Sequence, residues 1–156
     1  MIKTYEGKLQ KNEAKVAIVS ARFNSFVVER LVDGALDALK RHNFEDSQIE
    51  HYKVPGAFEM PVMVKKILET KHYDGVIALG AVIRGATPHF DYVSAEVSKG
   101  LASLSIAYTT PLGFGVLTTD NIDQAIERAG SKAGNKGAEA AMTVIEMIDL
   151  FKQIHN

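Results

Sequence analysis

Val76-Ile77-Ala78-Leu79-Gly80-Ala81-Val82-Ile83 is an almost unbroken apolar run, and it empties into Arg84-Gly85-Ala86-Thr87-Pro88-His89-Phe90-Asp91-Tyr92. A continuous apolar run of this length fits a strand buried on both faces, as in a parallel sheet. From Phe90 to about Tyr108 the period becomes helical. A buried strand that passes through small residues into a helix N-terminus leaves N–H groups without partners, where the helix dipole favours negative charge. His89 lies in this segment, where a proton can be moved. The stretch is equipped for a phosphorylated ligand and for acid–base chemistry.

The flanking sequence repeats the same alternation. A short buried strand is expected at 16–20, followed by a helix capped by Asn24 or Ser25 that carries Val27, Val28, Leu31, Val32, Ala35, Leu36 and Leu39, with Asn43 as its stop. A second strand is expected at 49–54, broken by Pro55-Gly56, and a helix at 60–70 with Pro61 in its first turn. The third strand covers 73–83 and a fourth 112–117, with further helices at 121–129 and 137–154. Alternating strands and helices predict an α/β fold, a four-stranded parallel sheet with helices on both faces, in one domain over 1–156. Residues 1–14 alternate only weakly and are expected to form an arm that pairs outside the sheet.

Composition narrows the function. The chain has 156 residues, 46% hydrophobic and 24% charged, with net charge −1, so it has a core of ordinary size and no basic footprint for nucleic acid. It has no cysteine, which excludes disulfides, thiolate metal sites and a cysteine nucleophile. The histidines show no metal-ligand spacing, and neither a GxGxxG nor a GxxxxGK[ST] motif is present. Neither a signal-peptide stretch nor a bilayer-length apolar run is seen, so the expected location is the cytoplasm.

Ligands of such sheets bind at the carboxyl ends of the strands. Phe23, after the first strand, either stacks on a planar heterocycle or covers the sheet end as a core aromatic. Glu59 either binds ligand hydroxyls or serves the following helix as a dipole partner or cap. His89 transfers protons, or it caps the helix or pairs with Asp91. Arg128 and Lys136 border the glycine-broken basic segment Gly130-Ser131-Lys132-Ala133-Gly134-Asn135. They either hold a phosphate or belong to a solvated turn.

Together these segments resemble the lumazine synthase family. The resemblance rests on Ala21-Arg22-Phe23-Asn24, Val54-Pro55-Gly56-Ala57-Phe58-Glu59-Met60-Pro61, Leu79-Gly80 with Val82-Ile83-Arg84-Gly85-Ala86-Thr87, His89-Phe90-Asp91-Tyr92-Val93, Phe114-Gly115-Val116-Leu117-Thr118-Thr119, and Gln124-Ala125-Ile126-Glu127-Arg128-Ala129-Gly130 continuing to Gly134-Asn135-Lys136-Gly137. It runs from about residue 5 to residue 151. It departs from the family at Pro88, where many members carry threonine, so the loop has one N–H and one hydroxyl fewer.

The resemblance implies a flavodoxin-like sandwich that condenses 5-amino-6-ribitylaminouracil with 3,4-dihydroxy-2-butanone 4-phosphate, without cofactor or metal. It implies that Phe23, Ala57, Phe58, Glu59, Ala81, Val82 and Ile83 hold the aminouracil, joined by Phe114 from a neighbouring subunit. Gly85, Ala86, Thr87 and Arg128 would bind the phosphate, and His89 would be the proton donor or shuttle. Asn24 and Lys136 would lie near the site, and Glu127 just outside it. It further implies a pentamer, a possible 60-subunit icosahedral shell, and a possible riboflavin synthase within. A non-catalytic flavin-binding module and a purely structural shell remain the alternatives.

Overall fold

The structure is a computed structural model that describes residues 1–10, 13–70, 72–131 and 134–155. Four strands, β1 (Val16–Ala21), β2 (Ile49–Val54), β3 (Gly75–Ile83) and β4 (Leu112–Thr119), form one parallel sheet in the order β2-β1-β3-β4. The helices are α1 (Ser25–Arg41), α2 (Met60–Thr70), α3 (His89–Tyr108), α4 (Ile122–Arg128) and α5 (Lys136–His155). Helices α1, α4 and α5 cover one face and α2 and α3 the other, giving two separate apolar layers. The expected three-layer architecture is therefore present. Strand β3 lies inside the sheet, and Ile77 and Leu79 on it are fully buried. Burial of each side chain contributes about 1.5–3 kcal/mol.

Details differ from expectation where local turns and tertiary contacts override the pattern. Asn24 stands at the helix start, but it occupies the left-handed region (φ 63°) and its side chain makes no cap bond. Its Nδ2 instead donates to the Ala81 carbonyl at 2.9 Å, tying the β1–α1 turn to the end of β3. Asn43 is left-handed as a helix stop should be (φ 65°). Single 3₁₀ turns at Asp46–Gln48 and Ala57–Glu59 precede β2 and α2; their three-residue length leaves no periodicity to detect. The glycine-broken segment is a short antiparallel ribbon, β5 (Ala129–Ser131) with β6 (Gly134–Asn135). Its Lys132 and Ala133 lie outside the described residues.

One side chain locks that ribbon in place. Asn135 Nδ2 donates to the carbonyls of Arg30 (2.9 Å) and Ala129 (3.0 Å), and its Oδ1 accepts from the N–H groups of Gly137 (2.8 Å) and Ala138 (3.1 Å). It thus caps α5 while holding α1 and β5. The helices close so tightly there that a Cβ on Gly137 would collide with the Leu31 carbonyl oxygen.

Residues 1–10 form no strand; they run along α5. Asp149, only 5% exposed, accepts from the Lys8 N–H (2.9 Å), Gln10 Nε2 (2.7 Å) and Gln153 Nε2 (2.9 Å). The Lys8 N–H bond is the largest reason that its carboxyl titrates below the usual aspartate range. A depressed carboxyl stabilises the fold at pH above its unfolded value and loses that contribution as pH falls through the folded one. The arm is therefore anchored at neutral pH.

Two outcomes follow from these contacts. Gly137→Ala in a helix would ordinarily stabilise. Here the collision with Leu31 reverses the sign, and calorimetry should show the melting temperature falling by roughly 5–10 °C. Asp149→Asn replaces an acceptor of three donors by a group that itself donates. Tryptic cleavage at Lys8, followed at neutral pH, should accelerate roughly tenfold, the factor expected from about 1.4 kcal/mol of lost charge-assisted bonding.

Candidate active site

The carboxyl ends of β1, β2 and β3 converge on a cleft of about 600 Å³, within the size range of small-molecule sites. The ladder between β1 and β2 continues past the strands: Arg22 N–H donates to the Val54 carbonyl (2.8 Å) and Phe23 N–H to the Pro55 carbonyl (3.0 Å). That continuation brings Phe23 beside the segment after β2. The cleft is lined by Phe23 and Asn24, by Pro55, Gly56, Ala57, Phe58 and Glu59, by Ala81, Val82 and Ile83, and by His89, Phe90, Tyr92 and Val93. Nine of the residues singled out from the sequence meet there.

The geometry bears on the alternative readings of three of them. Phe23 is 71% exposed and Phe58 59%, so neither is a core aromatic; both present ring surface to the cleft. Glu59 closes the 3₁₀ turn before α2, and no hydrogen bond to its carboxylate exists among the described residues. It is a free acceptor rather than a cap. His89 is the first residue of α3 and is exposed. It neither caps α3 nor pairs with Asp91, whose carboxylate lies 3.4 Å from Arg84 Nη1.

Between β3 and α3, the N–H groups of Gly85, Ala86, Thr87, His89 and Phe90 have no partner among the described residues. Pro88 has no N–H to offer, and its carbonyl accepts from Asp91 (3.0 Å) and Tyr92 (3.4 Å) to begin the helix. Five free donors at the start of a 20-residue helix make an anion-binding arrangement. Arg84 stands at its base. Its N–H donates to the Thr119 carbonyl (2.8 Å), its Nε to Asp120 Oδ1 (3.0 Å), and its guanidinium stacks 4.4 Å from the centroid of Phe90. The Asp120 bond, more than any other contact, raises its pKa.

Six expected residues do not line this cleft: Gly85, Ala86 and Thr87 lie in the loop between Ile83 and His89, which do line it, and the other three lie elsewhere. Phe114 is 46% exposed on the edge strand β4. Arg128 ends α4, with Nη1 on the Gln124 carbonyl (3.1 Å), and Lys136 begins α5, 3.7 Å from Glu139. Helix α4 and α5 pack on the sheet face opposite α2 and α3, which separates these cations from the cleft of their own chain. Conversely, Tyr92 had no assigned role. Its signal was its spacing, since His89, Tyr92 and Val93 fall on one helix face at i, i+3 and i+4. Among the described residues no three His, Cys, Asp or Glu side chains are grouped to hold a metal ion, and no helix is long and apolar enough to cross a membrane.

Comparison with known proteins gives the family. The profile of the 6,7-dimethyl-8-ribityllumazine synthase family matches residues 13–152. A protein of that name from Nitratidesulfovibrio vulgaris (strain DP4) is 59% identical over 153 residues, covering 98% of each chain. Another from Sulfurimonas denitrificans is 57% identical over 154 residues, covering 98% of this chain and all of its own. Matches of that extent and identity, joined to the cleft described above, place the chain in the 6,7-dimethyl-8-ribityllumazine synthase family.

Proposed function

We propose that the cleft condenses 5-amino-6-ribitylaminouracil with 3,4-dihydroxy-2-butanone 4-phosphate to give 6,7-dimethyl-8-ribityllumazine, releasing phosphate and water. The observation that carries this reading is the adjacency of an aromatic-walled cleft, a free carboxylate, a histidine and five unpartnered N–H groups.

Phe23 stacks on the pyrimidine ring, with Phe58 beside it. Glu59 accepts from the ribityl hydroxyls, and the backbone of Ala81, Val82 and Ile83 meets the ring edge. The N–H groups of Gly85, Ala86 and Thr87 take the phosphate at the N-terminus of α3. The uracil amine attacks the ketone and the imine forms with loss of water; phosphate is eliminated, leaving an enol that becomes a carbonyl, and the ribityl-bearing nitrogen attacks that carbonyl and closes the ring with loss of a second water. His89, next to the phosphate donors, protonates the departing oxygen. Holding both substrates in one orientation supplies most of the acceleration, and proton transfer the remainder.

Arg128, Lys136 and Phe114 lie away from their own cleft. In this reading they complete the cleft of an adjacent copy in a ring of five, so every site straddles an interface. A shell of twelve such rings, located in the cytoplasm and able to enclose a riboflavin synthase, extends the same reading. The ribbon between Gly130 and Gly137 bears on the shell, and its Lys132 and Ala133 lie outside the described residues.

The first test is the assay itself: lumazine absorbance, with both substrates, against the uncatalysed background. The protein should accelerate it. His89→Ala should lower turnover roughly 10²-fold, the low end for a lost proton-transfer group, with assembly intact. Arg128→Ala should raise KM for the butanone phosphate roughly tenfold or more and spare the aminouracil. No acceleration by an assembled protein would reject the reading. Sharing of the site is tested separately by co-refolding His89→Ala and Arg128→Ala chains. Random mixing should restore roughly a quarter of the sites if the two residues come from different copies. A mixture no more active than its parents would place both residues in one chain's site.

A further inference from the structure

Arg84 is the cation nearest in sequence to the anion loop. Its contacts straddle that loop. On one side its N–H extends the β3–β4 ladder to the Thr119 carbonyl, and its Nε reaches Asp120 beyond β4; on the other, Nη1 lies 3.4 Å from Asp91 and the guanidinium plane covers Phe90, both in the first turn of α3. Residues 85–88 are thus bracketed by one planar group. Lysine cannot reproduce this, because an ammonium has neither the fork nor the stacking face.

The charges explain what the bracket is for. Asp91 in the first turn suits the dipole of α3, and Asp120 lies at the end of β4, beside the same loop. A phosphate arriving at the five free N–H groups meets both carboxylates. With Arg84 present the three groups carry a net −1; without it they carry −2. The guanidinium is itself committed to two carboxylates and a ring, so it is not a spare ligand. Each ion pair is largely exposed and contributes little to folding, which leaves the electrostatics of the loop as the consequence of the arrangement.

We propose that Arg84 is a positioning residue, which neutralises Asp91 and Asp120 on either side of the 85–88 loop so that its N–H groups receive a phosphate monoester rather than face two bare carboxylates. The inference rests on the function proposed above for the same cleft, but its test does not need turnover.

Binding of inorganic phosphate is measured by calorimetry on the assembled protein and three variants, alongside KM for each substrate. Arg84→Gln should weaken phosphate binding several-fold and raise KM for the butanone phosphate by a similar factor, leaving KM for the aminouracil and kcat within about twofold. The loss should shrink between low and high salt, as screening removes the carboxylate field. Arg84→Gln/Asp91→Asn/Asp120→Asn should recover phosphate binding, which a merely structural role would not. Asp91→Asn/Asp120→Asn, which keeps Arg84, should bind phosphate more tightly than the unaltered protein, and this arm stands even where Arg84→Gln fails to fold. Phosphate binding unmoved in Arg84→Gln, unrecovered in the triple variant, or no tighter in the double variant would overturn the proposal. Phosphate effects as expected with no lumazine formed by the unaltered protein would sink the proposed function and keep this inference.

Discussion

Every polar backbone group of a buried parallel strand must be paired along the sheet, and where the strand stops the pairing stops with it. The site depends on this constraint at the end of β3. Ile83 and Arg84 are the last residues held by β4, through Thr119. Beyond them the chain turns into α3, whose first N–H groups have no acceptor within the helix. The unpaired donors are a consequence of ending a buried strand and starting a helix within five residues.

The rest of the molecule supports that edge. Helices α1 and α5 meet so closely at Gly137 that one backbone lies on the other, and Asn135 fixes the joint with four hydrogen bonds. Asn24 ties the turn after β1 to the end of β3, and the β1–β2 ladder continues to Phe23. The rigid elements place the aromatic rings and the donors, while the exposed side chains in the cleft stay free of internal partners. In the proposed reaction this division suits a catalyst whose main task is to hold two substrates in register.

Much of this was legible in the sequence, for physical reasons that differ by element. Strand β3 was evident because burial on both faces demands an unbroken apolar run, and α1 because one face alone is apolar. The cleft residues Phe23, Glu59 and His89 were found because they follow strand ends, where ligands of parallel sheets bind. Reading by position alone did not reveal that Asn24 spends its side chain on Ala81 rather than on the helix, because the left-handed backbone is set by tertiary contact. Position alone leaves Arg128 and Lys136 open between a phosphate site and a solvated turn, because it does not show that chain connectivity carries α4 and α5 to the sheet face opposite α2 and α3. Tyr92 carries no positional signal of its own, because it lies one turn into α3 rather than at a strand end. Arg84 was passed over because its meaning depends on Asp120, 36 residues away in sequence.

The close approach of α5 to its neighbours reaches beyond stability. At Gly137 it is pressed against α1, and at Gly7 the arm leaves no space for a Cβ beside the Glu146 carbonyl. A helix cornered from two sides cannot accept a bulkier residue at either point of contact without moving as a whole. Bulk is therefore excluded at these two points along α5, whereas Phe23, Phe58 and Tyr92 at the mouth of the cleft project into open space and are bounded by no such contact.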